Sequence, residues 1–263
     1  MFDVLEIILL GALAGFTIFL GLPVVLLAAS ERSKGFLNAI AIGILVFLIV
    51  DVMGNAWNST TSAALSTLRG QDPPASVEAD MIAMFGGLAL GLLGLAVYER
   101  RYLGKVGARD GPAPYKMATM IALGIGAHNL SEGLAIGQSY VQGAIGLAVV
   151  LVVGFGVHNM TEGFGILAPI SGLQEKPQMS FLVKVLLIGG GPTFLGTVLG
   201  SLFYSPVAYI LFLTLAGGAL VYVTMTMYSH GRRQTSNDVL LLGIFLGICA
   251  GFLTDLIVTL GGS

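Results

Sequence analysis

Long runs of apolar residues, separated by short polar segments, divide this chain into eight stretches. Each stretch is roughly 20 residues or longer, which is the length that an α-helix needs to cross the hydrocarbon core of a bilayer. Continuous apolar runs do not distinguish helix from strand by their periodicity, but their length favours helices. The sequence therefore predicts an all-α membrane bundle of eight transmembrane helices, at residues 4–29, 36–57, 79–98, 115–138, 143–170, 179–203, 207–228 and 239–260.

Composition supports the same class of protein. Apolar residues make up 56% of the chain and charged residues only 10%, whereas a soluble domain carries about 25% charged residues. We therefore expect one integral membrane domain over residues 1–263, with the lipid bilayer as its partner. The net charge of −2 offers no basic field for nucleic acid, and one cysteine cannot form a disulfide framework. No resident cofactor is expected.

Basic residues are segregated among the connecting segments. All but one of the 12 Lys and Arg residues fall in or beside the first, third, fifth and seventh loops, and the exception is Arg69 in the second. Lys and Arg are concentrated in cytoplasmic loops of membrane proteins. The pattern therefore predicts that these four loops lie inside and both termini outside. The expected location is the plasma (inner) membrane.

One polar pattern occurs twice inside the apolar segments. Residues 124–133 and 154–163 both read G-x-G-x-H-N-x-[ST]-E-G, in the fourth and fifth predicted helices. His and Glu four residues apart lie on one face of a helix. Because few residues join these two helices, we expect them to be antiparallel neighbours whose motifs meet near the membrane midplane, as in an inverted repeat.

Four side chains of this pattern are the predicted metal ligands: His128, Glu132, His158 and Glu162. An ionised Glu at the centre of a span costs roughly 2.5–3.5 kcal/mol on insertion scales, and two close carboxylates repel each other. A divalent cation between them removes both costs, and nitrogen and oxygen ligands suit a first-row transition metal. A polar cluster that only ties two helices together is the less favoured interpretation.

Three further polar residues have two interpretations each. Asn129 and Asn159 could offer carbonyl oxygens to a second ion, or could hold the ligands of the first ion in position. Asp51 in the second segment could lie on the path by which a cation enters from outside, or could make a helix-packing hydrogen bond. Asp255, towards the outer end of the eighth segment, is expected at the membrane interface.

The two motifs resemble those of the ZIP (Zrt/Irt-like) family of divalent-metal transporters, in its bacterial branch. There the fourth span carries an H-N-x-P-E-G type motif and the fifth a related one. The resemblance covers the layout of most of the chain, but in residues it is concentrated in the motifs. It implies that the four ligands form the primary transport site and that the two Asn residues help form an adjoining second site.

The resemblance also implies a function. Substrates of the family are Zn²⁺, Fe²⁺, Mn²⁺ or Cd²⁺, usually moved into the cytoplasm, and zinc is the main substrate expected here. Members of the family are often dimers, so a homodimer is an expectation. An elevator-like movement of a transport bundle has been proposed for them.

The chain departs from the family pattern at three positions. Ser131 and Thr161 replace the Pro inside the two motifs, and they can bend a helix by bonding back to a carbonyl one turn earlier. In the sixth span, Pro192 is followed by Thr193, where many relatives have an acidic ligand of the second site. We therefore expect a divergent member with one well-kept metal site.

Two other classes of function are alternatives to metal transport. One is an intramembrane di-metal enzyme, because di-iron carboxylate bundles also use Glu and His on helices. Their Glu-x-x-His spacing and additional Glu residues are not matched here, so we expect a transporter rather than an enzyme. The other is a channel-like or proton-coupled carrier of another solute, with the His/Glu pairs as a proton relay.

Overall fold

The computed structural model describes residues 4–26, 31–103, 113–141, 143, 145–171, 173, 175–202 and 205–261. Over these ranges the chain is almost entirely helical and contains no strand, which confirms the all-α prediction. Its main helices are α1 (Val4–Phe16), α2 (Glu31–Leu68), α3 (Pro74–Tyr98), α4 (Ala113–Val141), α5 (Ile145–Leu167), α6 (Met179–Leu202), α7 (Pro206–Gln234) and α8 (Asn237–Gly261).

Six helical segments of the described chain are long and apolar enough to cross a membrane, as is typical of a multi-pass membrane protein. They are α1 with the turn that follows it, α2, α3, α6, α7 and α8. The other two main helices, α4 and α5, carry the polar motifs. The count of eight spans and the outer location of both termini stay predictions.

The first segment is not the continuous α-helix that its apolar pattern predicts. α1 ends at Phe16 and is followed by a 3₁₀ turn (Thr17–Gly21) and a short helix (Pro23–Leu26). A Cβ on Gly21 would lie 2.4 Å from the carbonyl carbon of Gly163 in α5, so the turn packs backbone against backbone. A tertiary contact of this kind has no signature in hydrophobic periodicity.

The second helix is longer than predicted at its C-terminal end. It continues through the polar residues after Trp57 to Leu68. The hydroxyl of Thr60 donates to the carbonyl of Ala56, and that of Thr61 donates to the carbonyl of Trp57, both at 2.9 Å. These hydroxyls donate to carbonyls of their own helix. The polar residues therefore end the apolar segment, but the helix continues.

The helices pack as two groups of four. The motif bundle consists of α1, α4, α5 and α6, and the support bundle consists of α2, α3, α7 and α8. Across the interface between them, α4 packs on α7, while α5 packs on α2 and α8. Both polar motifs therefore belong to one bundle, and both motif helices also contact the other bundle.

Within each bundle, glycines bring helix backbones into direct contact. A Cβ on Gly133 of α4 would lie 2.1 Å from the Thr193 carbonyl oxygen of α6. In the support bundle, a Cβ on Gly91 of α3 would lie 2.0 Å from the Leu215 carbonyl oxygen of α7. No side chain fits at either position, so these helices are held together with little freedom to shift.

Two glycines at the interface between the bundles meet side chains of the opposite bundle. A Cβ on Gly124 of α4 would lie 2.8 Å from Cγ2 of Val223 in α7, and one on Gly165 of α5 would lie 3.4 Å from Cβ of Ala41 in α2. Both motif helices therefore pack closely against the support bundle.

Candidate metal site

The two motifs meet where α4 and α5 pack together. His128 Nε2 lies 3.1 Å from Glu132 Oε1 on the same helix and 3.9 Å from Glu162 Oε1 on α5. All three residues are buried, with exposed fractions of 2%, 6% and 2%. The structure thus brings together three of the predicted ligands. The fourth, His158, lies within α5, but its side chain is outside the described part of the chain.

The remaining motif residues allow other helices to approach these polar groups. A Cβ on Gly126 would lie 2.3 Å from the Ile188 carbonyl oxygen of α6, and one on Gly163 would lie 2.1 Å from the Ile18 carbonyl oxygen of the 3₁₀ turn. The hydroxyl of Ser131 donates to the carbonyl of His128 at 2.6 Å, which confirms the predicted bond back along the helix.

Asn129 is fully buried and holds Glu162 in position. Its Nδ2 donates to Glu162 Oε2 at 2.8 Å and to the Gly189 carbonyl oxygen of α6 at 3.0 Å. Because both acceptors require an N–H group, the orientation of the amide is fixed. Its Oδ1 is buried and receives no hydrogen bond from any described residue.

Asn159 has the equivalent arrangement on α5. Its Nδ2 donates to the Ala14 carbonyl oxygen of α1 at 2.9 Å, and its buried Oδ1 likewise has no hydrogen-bond partner within the described ranges. The sequence left open whether the two Asn residues support the ligands or bind an ion. Asn129 bonds to a predicted ligand, whereas Asn159 bonds only to the backbone of α1. Whether the two free carbonyl oxygens bind an ion stays a prediction.

Thr193 lies on α6 beside the motifs, at the position where the resemblance implies an acidic ligand. It is fully buried, and its Oγ1 has no hydrogen-bond partner among the residues described. Its Cβ is 3.3 Å from where a Cβ on Gly15 of α1 would lie. The α6 wall of the motif bundle therefore offers a neutral oxygen here instead of a carboxylate.

Unpartnered buried oxygens are concentrated in this part of the protein. Leaving such an atom without a partner costs about 1–3 kcal/mol, and an environment rich in acceptors favours a cation or a hydrogen-bond donor. Over the described residues, the buried oxygens without a hydrogen-bond partner on the helices that form the site are Asn129 Oδ1, Glu132 Oε2, Asn159 Oδ1, Glu162 Oε1 and Thr193 Oγ1.

The described His, Cys, Asp and Glu side chains include no group of three already arranged around a common metal position. His128 Nε2 and Glu132 Oε1 lie 3.1 Å apart, so the imidazole and the carboxylate contact each other directly. The side chain of His158 lies outside the described part of the chain, so this statement does not cover it.

Asp51 lies across the bundle interface on α2. It is partly buried, its Oδ1 accepts a hydrogen bond from Asn55 Nδ2 at 3.0 Å, and it interacts electrostatically with His128. The electrostatic effect of His128 on Asp51 agrees with a position on the cation path, and that role stays a prediction. The bond from Asn55 lies within α2 and joins no second helix, so the helix-packing interpretation also stays a prediction.

Sequence reasoning missed the backbone groups of this site. The carbonyl oxygens of Gly189 and Ala14 hold the two Asn amides, but every residue has a carbonyl, so no residue type marks these positions in the sequence.

No family model and no curated protein matches the chain. Membership of the ZIP family therefore stays a prediction that rests on the two motifs, while the fold defines a polytopic helical protein with a buried, acceptor-rich site.

Proposed function

We propose that this protein transports divalent transition-metal cations across the plasma (inner) membrane into the cytoplasm. Zinc is the main substrate, with iron, manganese or cadmium as further ones. The observation that carries the proposal is the convergence of His128, Glu132 and Glu162, with Nε2 of the His within 3.9 Å of both carboxylates. Two carboxylates balance the charge of one dication, and imidazole and carboxylate ligands suit a transition metal.

The division into two bundles supports transport. An alternating-access carrier must open its binding site to one side of the membrane at a time, and it can do so when a bundle that holds the site shifts against a second one. The motif bundle holds the proposed site, and at Gly124 it meets the side chain of Val223 in the support bundle.

The number of carboxylates favours a transporter over a di-metal enzyme. Di-iron carboxylate bundles use Glu from each of four helices. Among the described residues, the carboxylates that lie within 4 Å of His128 Nε2 are those of Glu132 and Glu162. Two carboxylates are enough for one dication and fewer than a di-iron centre uses.

The direct test is zinc flux in proteoliposomes loaded with a metal-sensitive dye. We expect zinc added outside to raise the dye signal only in liposomes that contain the protein. Fe²⁺, Mn²⁺ and Cd²⁺ should compete, while Mg²⁺ should not, because it binds imidazole poorly. Zinc that stabilises the protein against heat without crossing the membrane would favour the enzyme. Absence of both effects would overturn the proposal.

Asn129→Ala should weaken zinc binding by about 10–100-fold, the usual cost of removing a group that orients a metal ligand. The substitution removes the donor to Glu162 Oε2 and one unpartnered oxygen of the site. Isothermal titration with zinc measures the change. Asn38→Ala is the matched control, since Asn38 is also buried but lies on α2. Equal affinities of the two variants would contradict the role given to Asn129.

A further inference from the structure

Three of the buried oxygens without a described hydrogen-bond partner carry no charge. They are Oδ1 of Asn129 on α4, Oδ1 of Asn159 on α5 and Oγ1 of Thr193 on α6, and each of these residues is 0% exposed. The resemblance implies an acidic ligand at the position of Thr193, which would suit a second transition metal. Because all three oxygens are neutral, this group differs in chemistry from the His and Glu side chains beside it.

Asn159 and Thr193 lie against consecutive residues of α1. Nδ2 of Asn159 donates to the Ala14 carbonyl oxygen at 2.9 Å, and the Cβ of Thr193 lies 3.3 Å from where a Cβ on Gly15 would be. That Cβ would also lie 2.5 Å from the Gly190 carbonyl oxygen, so the backbones of α1 and α6 are in contact here. This close packing limits the size of any ligand between the two side chains.

Asn129 reaches the same region from α4. Its Nδ2 donates to the carbonyl oxygen of Gly189 at 3.0 Å, and Gly189 is one turn before Thr193 on α6. A Thr within a helix can donate to the carbonyl four residues earlier, as Thr197 does to Thr193 at 2.9 Å. The hydroxyl of Thr193 makes no such bond to a described residue, so its oxygen remains available to a ligand.

The α1 helix ends at this contact. Its last residue is Phe16, a 3₁₀ turn begins at Thr17, and the last turn of α1 carries no basic side chain. The C-terminal end of a helix has a partial negative charge. In transporters, the C-terminal ends of broken helices coordinate coupling ions such as sodium, together with backbone carbonyls. The break in α1 therefore indicates a cation independently of the three side-chain oxygens.

A monovalent cation fits these ligands better than a dication or a water molecule does. Divalent metal ions are bound with the help of carboxylates or imidazoles, and none of the three oxygens is charged. One water molecule donates two hydrogen bonds, whereas a cation can contact all three oxygens at once. Sodium is a smaller ion than potassium, and it suits the close packing of α1 against α6.

We propose that Asn129, Asn159 and Thr193 form a sodium site beside the dication site. This inference rests on the proposed function and adds a coupling ion to it. Oδ1 of Asn129 binds sodium while its Nδ2 donates to Glu162 Oε2, so sodium holds this amide and, through it, a carboxylate that binds zinc. Glu132 and Glu162 neutralise the dication, so its repulsion of sodium is small. Sodium therefore increases the affinity for zinc, and zinc increases that for sodium.

The first test measures zinc affinity by isothermal titration in sodium chloride and in choline chloride at equal ionic strength. We expect the Kd for zinc to be about tenfold lower in sodium chloride, within the usual range of coupling between two sites. Thr193→Val, which removes the hydroxyl, should make the two Kd values equal, and Thr193→Ser should keep the difference. Thr197→Val is the matched control and should also keep it, because Thr197 is equally buried on α6 but its hydroxyl is already bonded.

A second measurement needs no zinc and separates this inference from the proposed function. In metal-free detergent solution, sodium chloride should raise the melting temperature of the wild type and Thr197→Val above the value in choline chloride, and should leave that of Thr193→Val unchanged. Potassium chloride should have a smaller effect than sodium chloride.

Three results would contradict one part or another of this scheme. Wild-type melting temperatures that are equal in sodium and choline, or a sodium effect that persists in Thr193→Val, would overturn the sodium site while leaving transport intact. An equal effect of potassium would overturn the assignment to sodium. A sodium-dependent melting temperature in protein that carries no zinc would overturn transport alone.

Discussion

Glutamine in place of Glu132 is expected to abolish zinc transport while leaving the folded protein at least as stable as the wild type in the absence of metal. Gln has nearly the shape of Glu and can keep a contact with His128, but it cannot neutralise a dication. Loss of a ligand should lower zinc affinity by more than the roughly 10–100-fold that supporting groups contribute. Flux should then fall to that of protein-free liposomes.

The stability of the same variant gives an independent readout. A ligand that binds only the folded state adds about 2.7 kcal/mol at 100 times its Kd, so zinc should raise the melting temperature of the wild type and not of Glu132→Gln. Glu78→Gln is the control, since Glu78 is exposed on α3. Zinc flux retained in Glu132→Gln, with the wild-type melting shift, would show that the ion binds elsewhere.

Alanine in place of Gly133 is expected to destabilise the motif bundle severely. The added Cβ would lie 2.1 Å from the Thr193 carbonyl oxygen and 2.8 Å from the Thr197 nitrogen, and both are backbone atoms that no rotamer change can move. Overpacking typically costs about 1–3 kcal/mol, and we expect at least the upper end here. Thermal unfolding in detergent and the monodisperse fraction after purification measure the loss.

Gly86→Ala supplies the matched comparison for this substitution. Gly86 lies on α3, and nothing else in the described structure comes within 4 Å of a Cβ placed there. Alanine is favoured over glycine inside a helix by about 1 kcal/mol, so this variant should be as stable as the wild type or more stable. Equal behaviour of the two variants would contradict the close packing of α4 against α6.

The sequence predicted those parts of the site that depend on local geometry. The contact of His128 with Glu132 follows from a spacing of four residues on one helix. The contact with Glu162 required one further step, because the short connection between the motif helices implied antiparallel neighbours. The helices themselves were predictable in the same way, since a long apolar run in lipid has few alternatives to the α-helix.

The roles of the two Asn residues could not be decided from the sequence. Their acceptors are backbone carbonyls, at Gly189, 60 residues from Asn129, and at Ala14, 145 residues from Asn159. Every residue has a carbonyl, so no residue type marks these positions.

By itself, the sequence determined the all-α class, the apolar segments and the pairing of His and Glu within one motif, because hydrophobic length and helical period are local properties of the chain. The tertiary structure alone decided which helices form each bundle, where α1 changes to a 3₁₀ turn, and which oxygens remain for an ion. These features depend on contacts between backbone segments that are distant in sequence. Because every residue has the same backbone groups, no residue type marks where such contacts form.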